Sequence, residues 1–479
     1  MISQKRKVII VGAGMAGISA TRKIYGQDGF DVKVLEASSR AGGRTHTTTV
    51  DGVPIELGAT YIHGTKKNVI FDLGKKFGLI SGKGKREAEW EEYTLSALLT
   101  NGESVPSDIV LKCYDKFSDL LDDIEPDASA RSWASQYEDT YTYLANEYPK
   151  SLEKEKTTRK VLKEPYCNSL FEVFLHLQSV VEGEEDCKGV SILCPYVDLG
   201  GDPDAKFDDG YSYGFLVNKL LEDLPKDMIL YGREVVSINT ESNPTMVKCK
   251  NGDQFEADHV IVTVSLGVLK RRCLDENLLP NESSMFVPPL PVEKLKAIHS
   301  LGFGNIAKIV FQFDQEFTSK CKFKPLMILW RPEDKDDPVI KKKFPWVTSL
   351  FTVERISNSN FYETWFHGCT VAQVESATKE EIVEGLCYIL EKVLKHPIPK
   401  PIDVHMHNWS SDPLFGGCYM VDLTTANTQI NMSALEEPLT NNRVLFAGEA
   451  TNQAHFATVH GAYLSGIREA DRLIKICTS

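Results

Sequence analysis

The chain has 479 residues, too many for one simple hydrophobic core, so two domains or two interleaved halves are expected. Its 54 Lys and Arg against 67 Asp and Glu give a formal charge of -13, which disfavours nucleic acid as the main partner and suits a cationic ligand. The 11 cysteines are scattered from Cys113 to Cys477, with no Cys-x-x-Cys pair and no zinc-ligand spacing with histidine, the usage expected of a reduced, cytoplasmic chain without a metal site.

From Lys7 the sequence reads as a buried strand, a glycine turn, a helix through about Tyr25 and a second strand from Asp31 to Leu35 that ends at Glu36. The first apolar run, Val8 to Val11, breaks at once into Gly12, Gly14 and Gly17, too soon for a signal peptide or membrane span. The charged stretch from Lys83 to Lys163 lacks strand rhythm and predicts a separate helical layer. Strands are expected again over Ile229 to Ile238 and His259 to Val264, where Val260-Ile261-Val262 has the continuous apolar character of buried parallel sheet. Ala307 to Phe313 and Phe361 to Phe366 alternate as half-exposed strands of an antiparallel sheet would. A short strand at Val444 to Ala447, Gly448-Glu449 and a long helix close the chain. No apolar tail of roughly 20 residues follows, so no membrane anchor is expected, and Cys477-Thr478-Ser479 is not a peroxisomal Ser-Lys-Leu signal.

Gly12-x-Gly14-x-x-Gly17, with Ala16 inside it, falls where a strand turns into a helix, so backbone N–H groups can approach a pyrophosphate. Glu36 lies nineteen residues after Gly17 at the end of the next strand, where a carboxylate can accept from an adenosine ribose. The alternative is a glycine turn with a chance acid. Arg40-Ala41-Gly42-Gly43-Arg44 adds paired glycines for a second close approach and arginines that can neutralise phosphate.

With that block, Leu57-Gly58-Ala59-Thr60-Tyr61-Ile62-His63-Gly64, the run from Asp258 to Lys270, Gly448-Glu449-Ala450-Thr451, and His460 to Gly466, the chain resembles the flavin-containing amine oxidase family over essentially its whole length. That family includes polyamine and monoamine oxidases. The resemblance implies FAD and an α/β fold. A Rossmann-like FAD-binding domain would be assembled from discontinuous segments (1–80, 199–290 and 408–479), and an α+β substrate domain (81–198 and 291–407) would be built on a mostly antiparallel sheet. It implies that Gly12, Gly14, Ala16, Gly17 and Glu36 hold the ADP half, with Arg44, Gly58, Ala59 and Glu449 near the phosphates and ribityl chain. Val235 would offer its backbone to adenine. Thr458 and Val459 would meet the flavin pyrimidine edge at a helix start.

Lys308 falls at the lysine that in this family contacts flavin N5 through a water; read physically, it either snorkels to solvent or sits desolvated in its strand. His63 matches the polyamine-oxidase form of its block and would bind or deprotonate the amine, Tyr61 beside it; the bland reading is a structural histidine. Tyr419 aligns with an aromatic wall over the flavin, or is a core tyrosine. Cys418 stands where monoamine oxidases carry a flavin thioether, or is a small apolar core residue. Asp198, in a loosely matching segment, and Phe456, in place of an expected aromatic pair, are further substrate-binding candidates. Asp202, Asp204, Asp208 and Asp209 are a solvated acidic loop or a guide for a polycation.

These roles imply oxidation of a small-molecule amine by hydride transfer, then imine hydrolysis to an aldehyde and a shorter amine, with O2 reduced to H2O2. A polyamine is the expected substrate. The alternatives are a monoamine or L-amino-acid oxidase and an FAD-binding interaction protein without oxidase activity; a histone demethylase is disfavoured, since no long helical insertion is recognisable.

Overall fold

A computed structural model describes residues 5–81, 96–124, 137–184, 187–192, 196–200, 204–274, 284–314, 325–357, 359–426, 428–439 and 442–478. Asp202 and part of the stretch from 83 to 163 lie outside them. The chain divides into two compact units, one formed by 1–87, 195–303 and 412–479, the other by 88–194 and 304–411.

The first unit is organised by β1 (Arg6–Val11), α1 (Met15–Tyr25) and β2 (Phe30–Leu35). Val8 to Val11 are buried and pair in parallel with both β2 and His259–Val262, so β1 is central in a five-stranded parallel sheet. Strand order runs 444–446, 259–262, 6–11, 30–35, 229–230. Because the chain leaves β1 for β2 on one side and later returns on the other, the carboxyl end of β1 is a topological switch point, where open α/β sheets bind ligands. The glycine turn occupies that point. The closing helix Val459–Thr478 packs on α1 through Gly466, where a methyl group would stand 2.1 Å from both Ala16 O and Ser19 Oγ. Only glycine allows that approach.

The expected single strand over 229–238 is two strands. Gly232, at φ +67°, breaks it into Ile229–Leu230, which extends the parallel sheet, and Val235–Asn239, which belongs to a separate four-stranded sheet. The segment 291–303 lies with the first unit, since Lys294 Nζ donates to the carbonyls of Ala434 and Leu435 and Gly302–Phe303 pairs with Met420–Val421.

The second unit is built on a seven-stranded sheet in the order 403–405, 306–312, 361–367, 352–355, 326–329, 96–99, 104–105. All of its pairings are antiparallel except that between 326–329 and 96–99. Helices including Ser107–Ile124, Thr140–Glu153 and Cys167–Glu182 belong to the same unit. Two expectations are corrected. Ser96–Leu99 and Ser104–Val105 are strands inside the stretch read as purely helical; each is four residues or fewer, and 96–99 finds its partner 230 residues later, so neither has local periodicity to reveal it. The strands 306–312 and 361–367 are buried on both faces rather than half-exposed. Their apparent alternation arises because polar side chains, Lys308, Gln312, Glu363 and Thr364, are themselves buried.

Candidate cofactor and amine site

Two of the three glycines at the end of β1 are required by the chain itself. A methyl group on Gly17 would lie 2.0 Å from Gly12 O, and one on Gly12 would lie 2.7 Å from Thr263 Oγ1. Gly14 is different: a methyl group there would meet nothing within 4 Å, although Gly14 is the N-cap of α1 and no side chain caps it. The space beside Gly14 is therefore open at the N-terminal, positive dipole end of α1, a cradle that suits a pyrophosphate.

Gly42 and Gly43 support this cradle from behind. Gly42 N–H donates to Ala13 O at 2.8 Å, and a methyl group on Gly43 would be 3.2 Å from Gly14 Cα. Glu36, buried at the end of β2, accepts from Ala13 N at 2.7 Å with one carboxylate oxygen and from Ser38 N at 2.8 Å with the other. Ser38 Oγ also donates to the second oxygen at 2.7 Å; a carboxylate still retains acceptor capacity after three such bonds, so it can accept from a ribose hydroxyl. Arg233 N–H donates to Glu36 O at 2.8 Å, fixing the chain that enters the strand at Val235 beside it. Burial lowers the Arg40 pKa, opposed by Glu36 and Asp412.

A second cluster ties together three segments remote in sequence. Arg44 Nη1 donates to Glu449 Oε1 at 2.8 Å and to Cys418 O at 2.6 Å, while Glu449 Oε2 accepts from Ala457 N at 3.0 Å and Met420 N at 3.3 Å. Gly58 stays close behind Arg44, since a methyl group there would lie 1.9 Å from Arg44 O; Ala59 N–H donates to the same oxygen at 3.1 Å. Arg44, Val264, Ser265, Gly448, Glu449 and Thr451 line a cleft beside this pair. Glu449 is thus a clamp within the chain as well as a cofactor candidate. It holds Ala457 at φ +59°, immediately before Thr458, whose hydroxyl caps the final helix by accepting from Gly461 N at 3.0 Å. Cys418 is buried and Tyr419 half-buried, just before the short strand Met420–Val421.

His63 lies on the antiparallel bridge between Ile62 and Ala205, which brings Asp204 beside it. Its Nδ1 is 2.8 Å from Asp204 Oδ2, and Asp204 Oδ1 accepts from Gly64 N at 3.0 Å. In a neutral imidazole with the carboxylate accepting at Nδ1, Nε2 is the acceptor. The His63 side chain is 42% exposed. Asp204 was grouped with a solvated loop in the sequence; here it is the partner of His63, and no local signal marks a pair 141 residues apart. Tyr61 lies below Lys206, whose Nζ is 4.6 Å from its ring centre. Asp198 is exposed and turns back to accept from Gly200 N, and Phe456 is buried edge-on to Tyr196.

His460 and Asn68 also belong to this group and were not singled out in the sequence. Burial, with His455 and His63 nearby, pushes the His460 pKa down to about 3, opposed by Asp204. Its Nε2 is buried without a hydrogen-bond partner among the described residues. In the second unit Lys308 is only 2% exposed, with Nζ 4.0 Å from Glu363 Oε2 and 4.2 Å from the centre of the Trp365 ring. The snorkelling reading of Lys308 is therefore set aside in favour of the desolvated one. Among the described residues, no group of three or more His, Cys, Asp or Glu could hold a metal, and no helix is long and apolar enough to cross a membrane.

A glycine cradle at a sheet switch point and an acid ending β2 define a dinucleotide-binding site, and residues 15–474 match the family described as flavin containing amine oxidoreductase. The chain belongs to that family and is an FAD-dependent amine oxidase. It is similar to a peroxisomal N(1)-acetyl-spermine/spermidine oxidase of Homo sapiens, 29% identical with 98% of this chain and 95% of the relative covered. It is also similar to a probable polyamine oxidase 5 of Arabidopsis thaliana, 28% identical with 99% of each covered. A lysine-specific histone demethylase 1 homolog 2 of Arabidopsis thaliana is 30% identical over 98% of this chain, but only 58% of that protein is covered.

Proposed function

We propose that the chain oxidises polyamines, free or N-acetylated, at a carbon next to an amine nitrogen. The amine, water and O2 would give an aldehyde, a shorter amine and H2O2. The observation that carries this reading is the His63–Asp204 pair, an imidazole whose Nδ1 is held 2.8 Å from a carboxylate in a half-exposed position. An ammonium has no lone pair with which to expel hydride, so the substrate must lose a proton before it reacts. An acceptor imidazole backed by a carboxylate favours that loss. The names of the relatives that match along nearly their whole length point to the same substrate class.

Bound FAD supplies the two-electron acceptor. The Gly14 cradle and Glu36 would hold its ADP portion, and Arg44, Glu449 and the Thr458–Val459 turn the remainder. Lys308 is proposed as the family's active-site lysine, Tyr419 as the aromatic wall. Cys418 is proposed as a non-bonded neighbour of the flavin.

In His63→Asn, kcat/KM for spermine or N-acetylspermine is expected to fall roughly ten- to hundredfold with FAD content unchanged. An unchanged kcat/KM for every polyamine tested would remove His63 from the mechanism.

A further inference from the structure

Asn68 has no exposed surface and uses both ends of its amide. Oδ1 accepts from Ile70 N at 2.9 Å and Phe71 N at 3.4 Å, capping α2 (Val69–Lys76). Two backbone N–H groups on one atom identify it as the oxygen. Nδ2, at the other end, donates to His63 O at 2.8 Å and to Gly64 O at 3.1 Å. It also lies 3.4 Å from Nδ1 of His460, which burial keeps neutral.

A helix cap needs only an acceptor, which Ser, Thr or Asp would provide as well as Asn. Capping therefore leaves the amide nitrogen unexplained. The backbone between the two ends curls through Gly64 at φ +71° and Lys67 at φ +58°, an unfavourable conformation for lysine. That curl brings Asn68 back under the residue four and five positions before it. Asp204 fixes the His63 ring from one side; Asn68 fixes the main chain that carries the ring.

We propose that Asn68 is a positioning residue for His63, its buried amide nitrogen holding the His63 and Gly64 carbonyls so that the imidazole meets the amine in one orientation. This rests on the reading that His63 contacts the substrate.

The test uses the FAD-loaded enzyme and Asn68→Asp, which keeps the α2 cap but replaces the donor by an acceptor facing two carbonyls. Asn68→Ser is a second variant that keeps a capping oxygen without introducing charge, and it carries the test if the aspartate does not fold. Each is also made on a His63→Asn background. The expected result is a KM for spermine or N-acetylspermine raised roughly tenfold, with kcat at saturation little changed, and no further rise on the His63→Asn background, since a residue acting through His63 has nothing left to position. An equal rise on both backgrounds, or an unchanged KM in both variants, overturns the proposal. His63→Asn alone distinguishes the two levels: if it leaves the KM of every amine unchanged, the substrate-contact reading fails and this proposal with it. If it raises KM while the Asn68 variants do not, only the Asn68 proposal fails.

Discussion

Glu449→Ala tests whether the cluster around Arg44 is a clamp intrinsic to the chain. The substitution leaves Met420 N–H and Ala457 N–H without their acceptor and Arg44 without its ion pair. Arg44 is 26% exposed and can turn toward water, so its loss is small, but each stranded main-chain donor in a buried setting costs about 1–3 kcal/mol. The sum is about 2–6 kcal/mol, enough to release Ala457 from its left-handed conformation and fray the Thr458 cap that follows. Urea unfolding of the FAD-free protein, followed by intrinsic fluorescence, would measure this, with FAD affinity determined separately by titration. A lower unfolding midpoint together with weaker FAD binding is expected. A midpoint shift worth under about 1 kcal/mol would refute the reasoning, because one buried and one part-buried donor could not then depend on this carboxylate.

Gly466→Ala is expected to destabilise by more than about 2 kcal/mol, through overpacking against Ala16 O and Ser19 Oγ at 2.1 Å; thermal melts check it. Ala457→Gly should be neutral or stabilising by up to about 1 kcal/mol, against the usual direction, since Ala457 sits at φ +59°; denaturant titration reads the sign. His460 has a folded pKa near 3 against an ordinary value of 6.5, so the unfolded chain binds the extra proton. Its contribution to stability is full above about pH 6.5 and is lost as pH falls toward 3, at about 1.4 kcal/mol per unit. Unfolding free energies between pH 7 and pH 4 should therefore decline less steeply in His460→Asn than in the parent. Acid precipitation should leave a colourless pellet with the flavin in solution; a yellow pellet lost in Cys418→Ser would show that Cys418 is joined to it.

The cofactor half of the site was legible because its signals are local. Gly12, Gly14, Gly17 and Glu36 lie within one βαβ unit, whose strand–turn–helix–strand pattern shows in the sequence; the strand order then places the turn at the switch point of the sheet. Glu449 and Thr458 were legible only through resemblance; the use of Glu449 as a clamp was not, because the donors it serves come from Arg44 and Met420, whereas the Thr458 cap on Gly461 is local. Asp204 was hidden for the same reason: a carboxylate in an acidic run looks solvated until the Ile62–Ala205 bridge brings it to His63. Lys308 shows the converse. Its strand alternates as a half-exposed one would, yet every position is buried, because a lysine beside a buried glutamate and a tryptophan ring breaks the rule that polar means outward.

The most direct test of the central claim is anaerobic mixing of the yellow holoenzyme with spermine, spermidine, their N-acetyl derivatives, an aromatic monoamine and an L-amino acid, with flavin absorbance followed in time. Rapid bleaching by a polyamine, with peroxide formed once O2 is admitted, is the result the account predicts. Bleaching only by the monoamine or the amino acid, or by none of them, would contradict it.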